Sequence, residues 1–161
     1  MGVAGSGKTT VGRLLAQKIG WEFADADDLH PAASRDKMAQ GVALTDEDRR
    51  PWLEAVRDLI ALRIASGRRI VIACSALKQS YRDAIAVEPD AIIWVYLRGT
   101  RDLIAHRLAA RRGHFFNPEL LASQFDTLEE PSCAIVEDIA RDPDAIAESI
   151  RRKIVLRRAE Q

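Results

Sequence analysis

The residues Gly2-Val3-Ala4-Gly5-Ser6-Gly7-Lys8-Thr9 satisfy the pattern G-x-x-x-x-G-K-S/T at every constrained position. They lead into Val11, Leu14, Leu15 and Ile19, which recur at helical spacing, and Gly20 supplies a stop. Glycines let a backbone approach phosphates and turn its N–H groups toward them, and the following helix N-terminus adds partial positive charge. The backbone of residues 2–8 is therefore expected to cradle the phosphates of ATP. Lys8 is expected to reach the β- and γ-phosphates, and the Thr9 hydroxyl to ligate Mg²⁺ with Thr10 assisting. A glycine-rich turn that only capped a helix would account for Gly5 and Gly7 but not for Lys8 beside Thr9. A buried strand ordinarily feeds such a loop, yet Met1 directly precedes Gly2. The expectation is a sheet lacking its first, central strand, with Met1 an internal methionine of a natural chain that begins about ten residues earlier in an apolar run.

At 161 residues the chain is long enough to form one domain, 1–161, around its own core. Lys and Arg total 24, as do Asp and Glu, so neither a nucleic acid nor an anionic membrane surface is favoured as partner. No apolar run approaches the roughly 20 residues that span a bilayer, and no Cys/His set has zinc spacing. Cys74 and Cys133 each sit in an apolar stretch and are expected to be buried and reduced, as in a cytoplasmic enzyme. The first six residues also match M-G-x-x-x-S/T, the acyl-acceptor pattern. That reading is set aside, because Gly2 already belongs to the more demanding phosphate motif.

Apolar runs alternate with amphipathic stretches along the whole chain, which predicts an α/β fold: a three-layer P-loop NTPase architecture, a parallel sheet with helices on both faces. A short strand is expected at Glu22 to Asp25, and buried strands at Ile70 to Cys74, Ile92 to Leu97 and Cys133 to about Glu137. The polar segment about 27–50, punctuated by Pro31 and Gly41, is expected to be an irregular or short-helical insertion carrying binding groups. A long helix should run from about Asp48 to Ala65. Thr45 with Asp48 reads as a capping box, but that start puts Pro51 in the second turn, so Asp48 is the preferred N-cap. Further helices are expected from Arg101 to Arg112, from Asn117-Pro118 through Leu128, and from Asp142-Pro143 to the end. The basic run at Arg151, Arg152 and Lys153 reads as a solvated face.

A guanine-reading N-K-x-D is impossible, since Asn117 is the only asparagine and Pro118 follows it. The strand at Ile70 to Cys74 lacks the terminal aspartate with which switch and motor proteins hold Mg²⁺. Carboxylates cluster instead as Asp25-Ala26-Asp27-Asp28. If the strand continues that far, alternation puts Asp25 and Asp27 on one side, at the carboxyl end where α/β ligands bind. One would hold metal-bound water and the other take the acceptor's hydroxyl proton; the alternative is a solvated acidic turn. Arg107 and Arg111 share a helix face before Gly113-His114-Phe115-Phe116, as expected for a lid over about 112–125 that closes on the transferring phosphoryl group. Surface ion pairing is the alternative for either arginine.

These residues, with Leu29-His30-Pro31, Lys37-Met38, Leu44-Thr45-Asp46-Glu47-Asp48-Arg49-Arg50-Pro51-Trp52-Leu53, Cys74-Ser75-Ala76-Leu77-Lys78, Tyr81-Arg82-Asp83 and Ser123-Gln124-Phe125-Asp126-Thr127-Leu128-Glu129-Glu130-Pro131, resemble the gluconokinases. Those belong to the group of P-loop kinases that includes shikimate kinase and nucleoside monophosphate kinases, and the resemblance covers nearly the whole chain. It implies ATP- and Mg²⁺-dependent phosphorylation of D-gluconate at its terminal hydroxyl, and a homodimer. It implies Asp27 as general base, Asp25 as the magnesium-water ligand and Arg49 as the grip on the acceptor carboxylate. His30, Lys37, Arg82 and the lid residue His114 are further candidates for substrate contacts. The family usually has glycine where Ala26 stands, which is expected to alter the turn between the aspartates slightly. The competing expectations are a kinase of shikimate or of a nucleoside monophosphate, and a nucleotide-binding module without turnover.

Overall fold

The computed structural model describes residues 1–110 and 118–159. In chain order the elements are α1 (Lys8–Ile19), β1 (Glu22–Asp25), a 3-10 turn (Ala26–Leu29), α2 (Ala32–Ala39), α3 (Asp46–Ala65), β2 (Ile70–Ala73), α4 (Gln79–Ile85), a second 3-10 turn (Pro89–Ala91), β3 (Val95–Arg98), α5 (Arg101–Ala109), α6 (Pro118–Thr127), β4 (Ile135–Asp138) and α7 (Pro143–Ala159). This is an α/β fold with parallel strands and covering helices. Helix α1 ends where expected, because Gly20 takes the left-handed conformation (φ 68°) that closes a helix without a Cβ penalty.

The described strands form two parallel pairs. In one, β1 runs beside β2 with Glu22 opposite Ile70; in the other, β3 runs beside β4 with Val95 opposite Ile135. Between β2 and β3 lies an apolar cavity of about 390 Å³, lined among others by Ile70, Ile72, Val95, Leu97 and Ile150. Met1 sits at the end of this slot. Its amino group donates to the Val95 carbonyl, its own carbonyl accepts from Leu97 N at 3.0 Å, and Gly2 N donates to Ser75 O at 3.2 Å on the other side. Residues 1–2 thus bond alternately to the β3 side and the β2 side, as one rung of a strand lying parallel between them would. Among the described residues no strand occupies the slot between β2 and β3.

Helices α1 and α7 pack together over a core that includes Val11, Leu15, Ile104, Ile139, Ile146 and Ile150. Helices α3 and α4 enclose a second cluster, where Trp52, Val56, Ile85 and Cys74 surround Ala26. Several close approaches require glycine, two of them in the glycine loop and the helix that follows it. A Cβ on Gly12 would lie 2.8 Å from the Phe23 ring, and one on Gly5 would lie 2.9 Å from Leu108 of α5. Helix α5 therefore packs directly on the glycine loop.

Several local expectations need correction. The N-cap of helix α3 is Thr45, not Asp48: Thr45 Oγ1 accepts from Asp48 N at 3.1 Å while Asp48 Oδ2 accepts from Thr45 N at 3.0 Å. This reciprocal cap satisfies two helix-end donors and outweighs the one bond lost at Pro51, which lies inside the helix. Cys133 is exposed, whereas Cys74 is buried and burial pushes its thiol up to about 11. Strand β3 begins at Val95 rather than Ile92, and β4 at Ile135 rather than Cys133. Helix α5 is described to Ala109, short of Arg112, and the start expected at Asn117 lies outside the described residues. Helix α4 was not anticipated. Lys153 is not merely solvated: with Ser149 and Arg141 it satisfies the buried Glu137 of β4, through contacts of 2.7, 2.7 and 2.9 Å.

Candidate active site

The glycine loop and the acidic turn are joined by one side chain. Thr9, in the first turn of α1, donates its hydroxyl to Asp25 Oδ2 at 2.6 Å, and the other oxygen, Oδ1, accepts the backbone N–H of Asp27 at 3.1 Å. Asp25 is thereby the N-cap of the 3-10 turn that carries Asp27. The two aspartates come together through this cap and not through strand alternation, because β1 ends at Asp25. Ala26 between them is fully buried and lies outside the left-handed region, so its methyl fits without backbone strain.

Asp27 keeps solvent access, yet enough protein surrounds its carboxyl that desolvation pushes its pKa up against the pull of Lys8, with Asp25 adding in the same upward direction. The turn is held from behind. Trp52 of α3 donates its indole N–H to the Ala26 carbonyl at 2.7 Å, and His30 stacks on the Trp52 ring with centroids 4.6 Å apart. Burial pushes His30 down, toward its neutral form, and its Nδ1 has no hydrogen-bond partner among the described residues.

In the loop, Gly2, Gly5 and Gly7 have φ of 142°, 79° and 88°, conformations that side-chain-bearing residues rarely adopt. Nothing lies within 4 Å of a Cβ built on Gly7, so the loop is open there. Lys8 Nζ donates to the Val3 carbonyl at 3.0 Å, curling back over the loop. Ser6 Oγ is buried without a hydrogen-bond partner among the described residues. An open glycine loop, a lysine above it and an orphaned hydroxyl fit a polyphosphate. Among the described residues no group of three or more His, Cys, Asp or Glu side chains could hold a metal. A magnesium ion at the Thr9–Asp25 pair would draw its remaining oxygen ligands from phosphates and water, as that ion commonly does.

The other expected site residues fall in different places. Arg49 Nη1 donates to the Leu44 carbonyl and lies 3.8 Å from Asp46 Oδ1, with the guanidinium over the Tyr81 ring. It contributes to the field at His30. Lys37 pairs with Asp48 at 2.7 Å; that bond and the Thr45 cap hold the Asp48 carboxyl down to about 2. Thr10 is exposed. Arg82, a candidate for substrate contact, is 2% exposed, and its guanidinium donates to the Ala76 and Leu77 carbonyls at 2.9 and 3.1 Å and to Gln79. Its role is to hold the turn after β2, where Ala76 has φ 41°. Arg107 Nη2 donates to the Ile139 carbonyl at 2.6 Å, tying α5 to the end of β4. Arg111 and His114 lie outside the described residues, as do residues 112–117 of the lid expected over about 112–125.

Sequence reasoning missed Gln124, whose Oε1 accepts the Ala4 N–H of the loop at 2.6 Å from α6, and it named Trp52 only as part of an apolar face. It also missed the set formed by Asp46, Lys78 and Tyr81. All depend on contacts between residues more than twenty positions apart, for which spacing gives no signal.

The shikimate kinase family model matches residues 4–159. A probable gluconokinase of Mus musculus is 50% identical over 149 residues, covering 82% of this chain and 81% of that one. The thermoresistant gluconokinase of Escherichia coli is 40% identical over 150 residues, covering 93% and 86%. Among solved structures, a gluconokinase from Sinorhizobium meliloti superposes with a TM-score of 0.83 at 36% identity, covering 98% of this chain and 94% of that one.

Proposed function

The chain belongs to the gluconokinases of the shikimate kinase family, and we propose that it transfers the γ-phosphoryl group of ATP to the terminal hydroxyl of D-gluconate, giving 6-phospho-D-gluconate. It is a kinase, with the P-loop fold of its relatives. The observation that carries the mechanism is the Asp25 carboxylate, which spans from Thr9 of the phosphate loop to the backbone of Asp27. On this reading the bridge holds the proposed proton acceptor near the phosphate loop.

Asp27 accepts the proton as the acceptor's hydroxyl oxygen bonds to the γ-phosphorus, and the bond from that phosphorus to the β,γ-bridging oxygen breaks, leaving ADP. The raised pKa of Asp27 makes it a better base than an ordinary carboxylate. Lys8 leaves the Val3 carbonyl for the β- and γ-phosphates, and the amides of residues 2–8 neutralise charge developing there. Mg²⁺, held by Thr9 and through water by Asp25, would supply further charge neutralisation. Arg49 grips the acceptor carboxylate, for which a planar guanidinium is suited. Arg111 and His114 are proposed to act from the lid, and His30 and Lys37 to border the acceptor. A homodimer and a cytoplasmic location are part of the same reading. Among the described residues no helix is long and apolar enough to cross a membrane.

Acceptor-dependent ADP release, measured across gluconate, shikimate and nucleoside monophosphates, tests the assignment. Gluconate is expected to be preferred. Preference for shikimate or a nucleotide would overturn the substrate, and ATP binding without any acceptor-dependent ADP would overturn turnover itself.

A further inference from the structure

Asp46, the first residue of α3, carries more partners than its position requires. Lys78 Nζ contacts both its oxygens, at 2.9 and 2.8 Å, the Tyr81 hydroxyl donates to it, and Arg49 Nη1 lies 3.8 Å from Oδ1. The two cations lie over the Tyr81 ring, with the Arg49 guanidinium 5.6 Å and the Lys78 ammonium 5.2 Å from its centroid. Yet the Asp46 side chain is 64% exposed, and ion pairs so open to water contribute little to stability. Two cations and a phenol, brought from α3 and from the N-terminus of α4, converge on a single solvent-facing carboxylate. The same Arg49 acts electrostatically on His30, which stacks on Trp52 behind the turn of Asp27. The cluster thus adjoins the acceptor side of the site.

We propose that Lys78 and Tyr81 join Arg49 in reading the carboxylate of the acceptor, and that Asp46 occupies that seat until the acceptor's carboxylate displaces it. The exchange replaces one carboxylate by another, so the two cations never lose their counter-charge, and the released Asp46 is already near water. An uncharged polyol offers no such exchange. It must either leave Asp46 in the seat or strand it without its partners, and selection for an anionic acceptor follows. The Lys78, Tyr81 and Arg49 groups are positioned in advance by their contacts with Asp46, which lowers the ordering cost when the acceptor binds. This inference rests on the acid-acceptor reading given above.

The test compares wild type with Lys78→Met, Lys78→Arg, Tyr81→Phe and Asp46→Asn, using D-gluconate and D-glucitol, which carries a hydroxymethyl group in place of the carboxylate. Lys78→Met is expected to raise the gluconate KM about tenfold or more while kcat and the ATP KM move far less. Its preference for gluconate over glucitol should fall by a similar factor, and Lys78→Arg should recover part of the loss. Tyr81→Phe should act in the same direction, more weakly. Asp46→Asn is expected to lower the gluconate KM, because the competing carboxylate is gone; a residue that only shaped the helix start would raise it or leave it unchanged. An unaltered gluconate KM in Lys78→Met, or a raised one in Asp46→Asn, overturns the proposal. If wild type instead prefers another carboxylic acid, the gluconate assignment fails while the same variants assayed with that acid still decide the seat. A preference for an uncharged acceptor overturns both. Calorimetric titration of gluconate into each variant gives the same comparison if turnover is absent.

Discussion

The indole N–H of Trp52 is bonded to the carbonyl oxygen of Ala26 at 2.7 Å, so the residue between Asp25 and Asp27 is pinned to the second turn of the long helix α3. Trp52 is 1% exposed and Ala26 is fully buried, which leaves no water to replace that donor if it is lost. The same ring stacks on His30 just beyond the turn, with an interplanar angle of 6°. One side chain thereby fixes both ends of the segment that carries Asp27.

Trp52→Phe keeps an aromatic face for His30 but leaves the Ala26 carbonyl unpaired. A buried acceptor left unsatisfied costs about 1–3 kcal/mol, and that loss should appear in urea unfolding. Because the turn would also loosen, kcat is expected to fall while the ATP KM holds. A variant with wild-type kcat would show that Asp27 is positioned without this bond.

As the proposed base, Asp27 is expected to set the acid limb of the pH profile. Desolvation raises its pKa above the ordinary carboxylate value, and the nearby Asp25 adds to the rise. A base is active only when deprotonated, so acceptor kcat/KM should fall as pH decreases through a value above that of a free aspartate. Asp27→Asn should lower turnover far more than it weakens ATP binding. Near-wild-type turnover in that variant would remove Asp27 as base.

Lys8→Ala should abolish phosphoryl transfer while preserving the fold, since Lys8 Nζ donates to the Val3 carbonyl at the rim of the glycine loop, at 3.0 Å, and is not part of the apolar core. Thermal unfolding near the wild-type midpoint with undetectable ADP release is the expected pair of results. Retained transfer would remove the lysine from the reaction.

The parts legible in the sequence were those set by local chemistry. The glycines of residues 2–7, the stop at Gly20 and the aspartates at 25 and 27 announce themselves through conformational need or charge. The start of α3 was misplaced because Pro51 seemed the stronger signal, although its cost is one backbone bond and the Thr45–Asp48 cap satisfies two groups. Helix α4, seven residues from Gln79 to Ile85, is too short for periodicity to reveal. The burial of Arg82 was illegible for another reason: an arginine in a motif reads as a ligand contact, and only the fold shows that carbonyls of the turn after β2 consume its donors. The Lys78–Asp46 pairing joins residues 32 positions apart, beyond any helical or strand period.

The α-amino group of Met1 offers a final measurement on this 161-residue chain. It donates to the Val95 carbonyl at the end of the apolar slot between β2 and β3, and burial, reinforced by Lys8 and Arg82, pushes it down from an ordinary 8.0 to about 5. Between those values the unfolded chain binds a proton there that the folded chain does not, so stability should rise as pH increases from about 5 to about 8. A difference of that size corresponds to roughly 4 kcal/mol. His30, also pushed down by burial, acts in the same direction and must be separated from it. Formylating Met1 does so: the amide N–H still serves the Val95 carbonyl, the charge is gone, and the slot of about 390 Å³ has room for the added group. Urea unfolding of the free-amine chain should be markedly weaker at pH 6 than at pH 8, and formylation should remove most of that difference. An equal pH dependence in the two forms would show that the amine reaches water and that the slot is not closed around it.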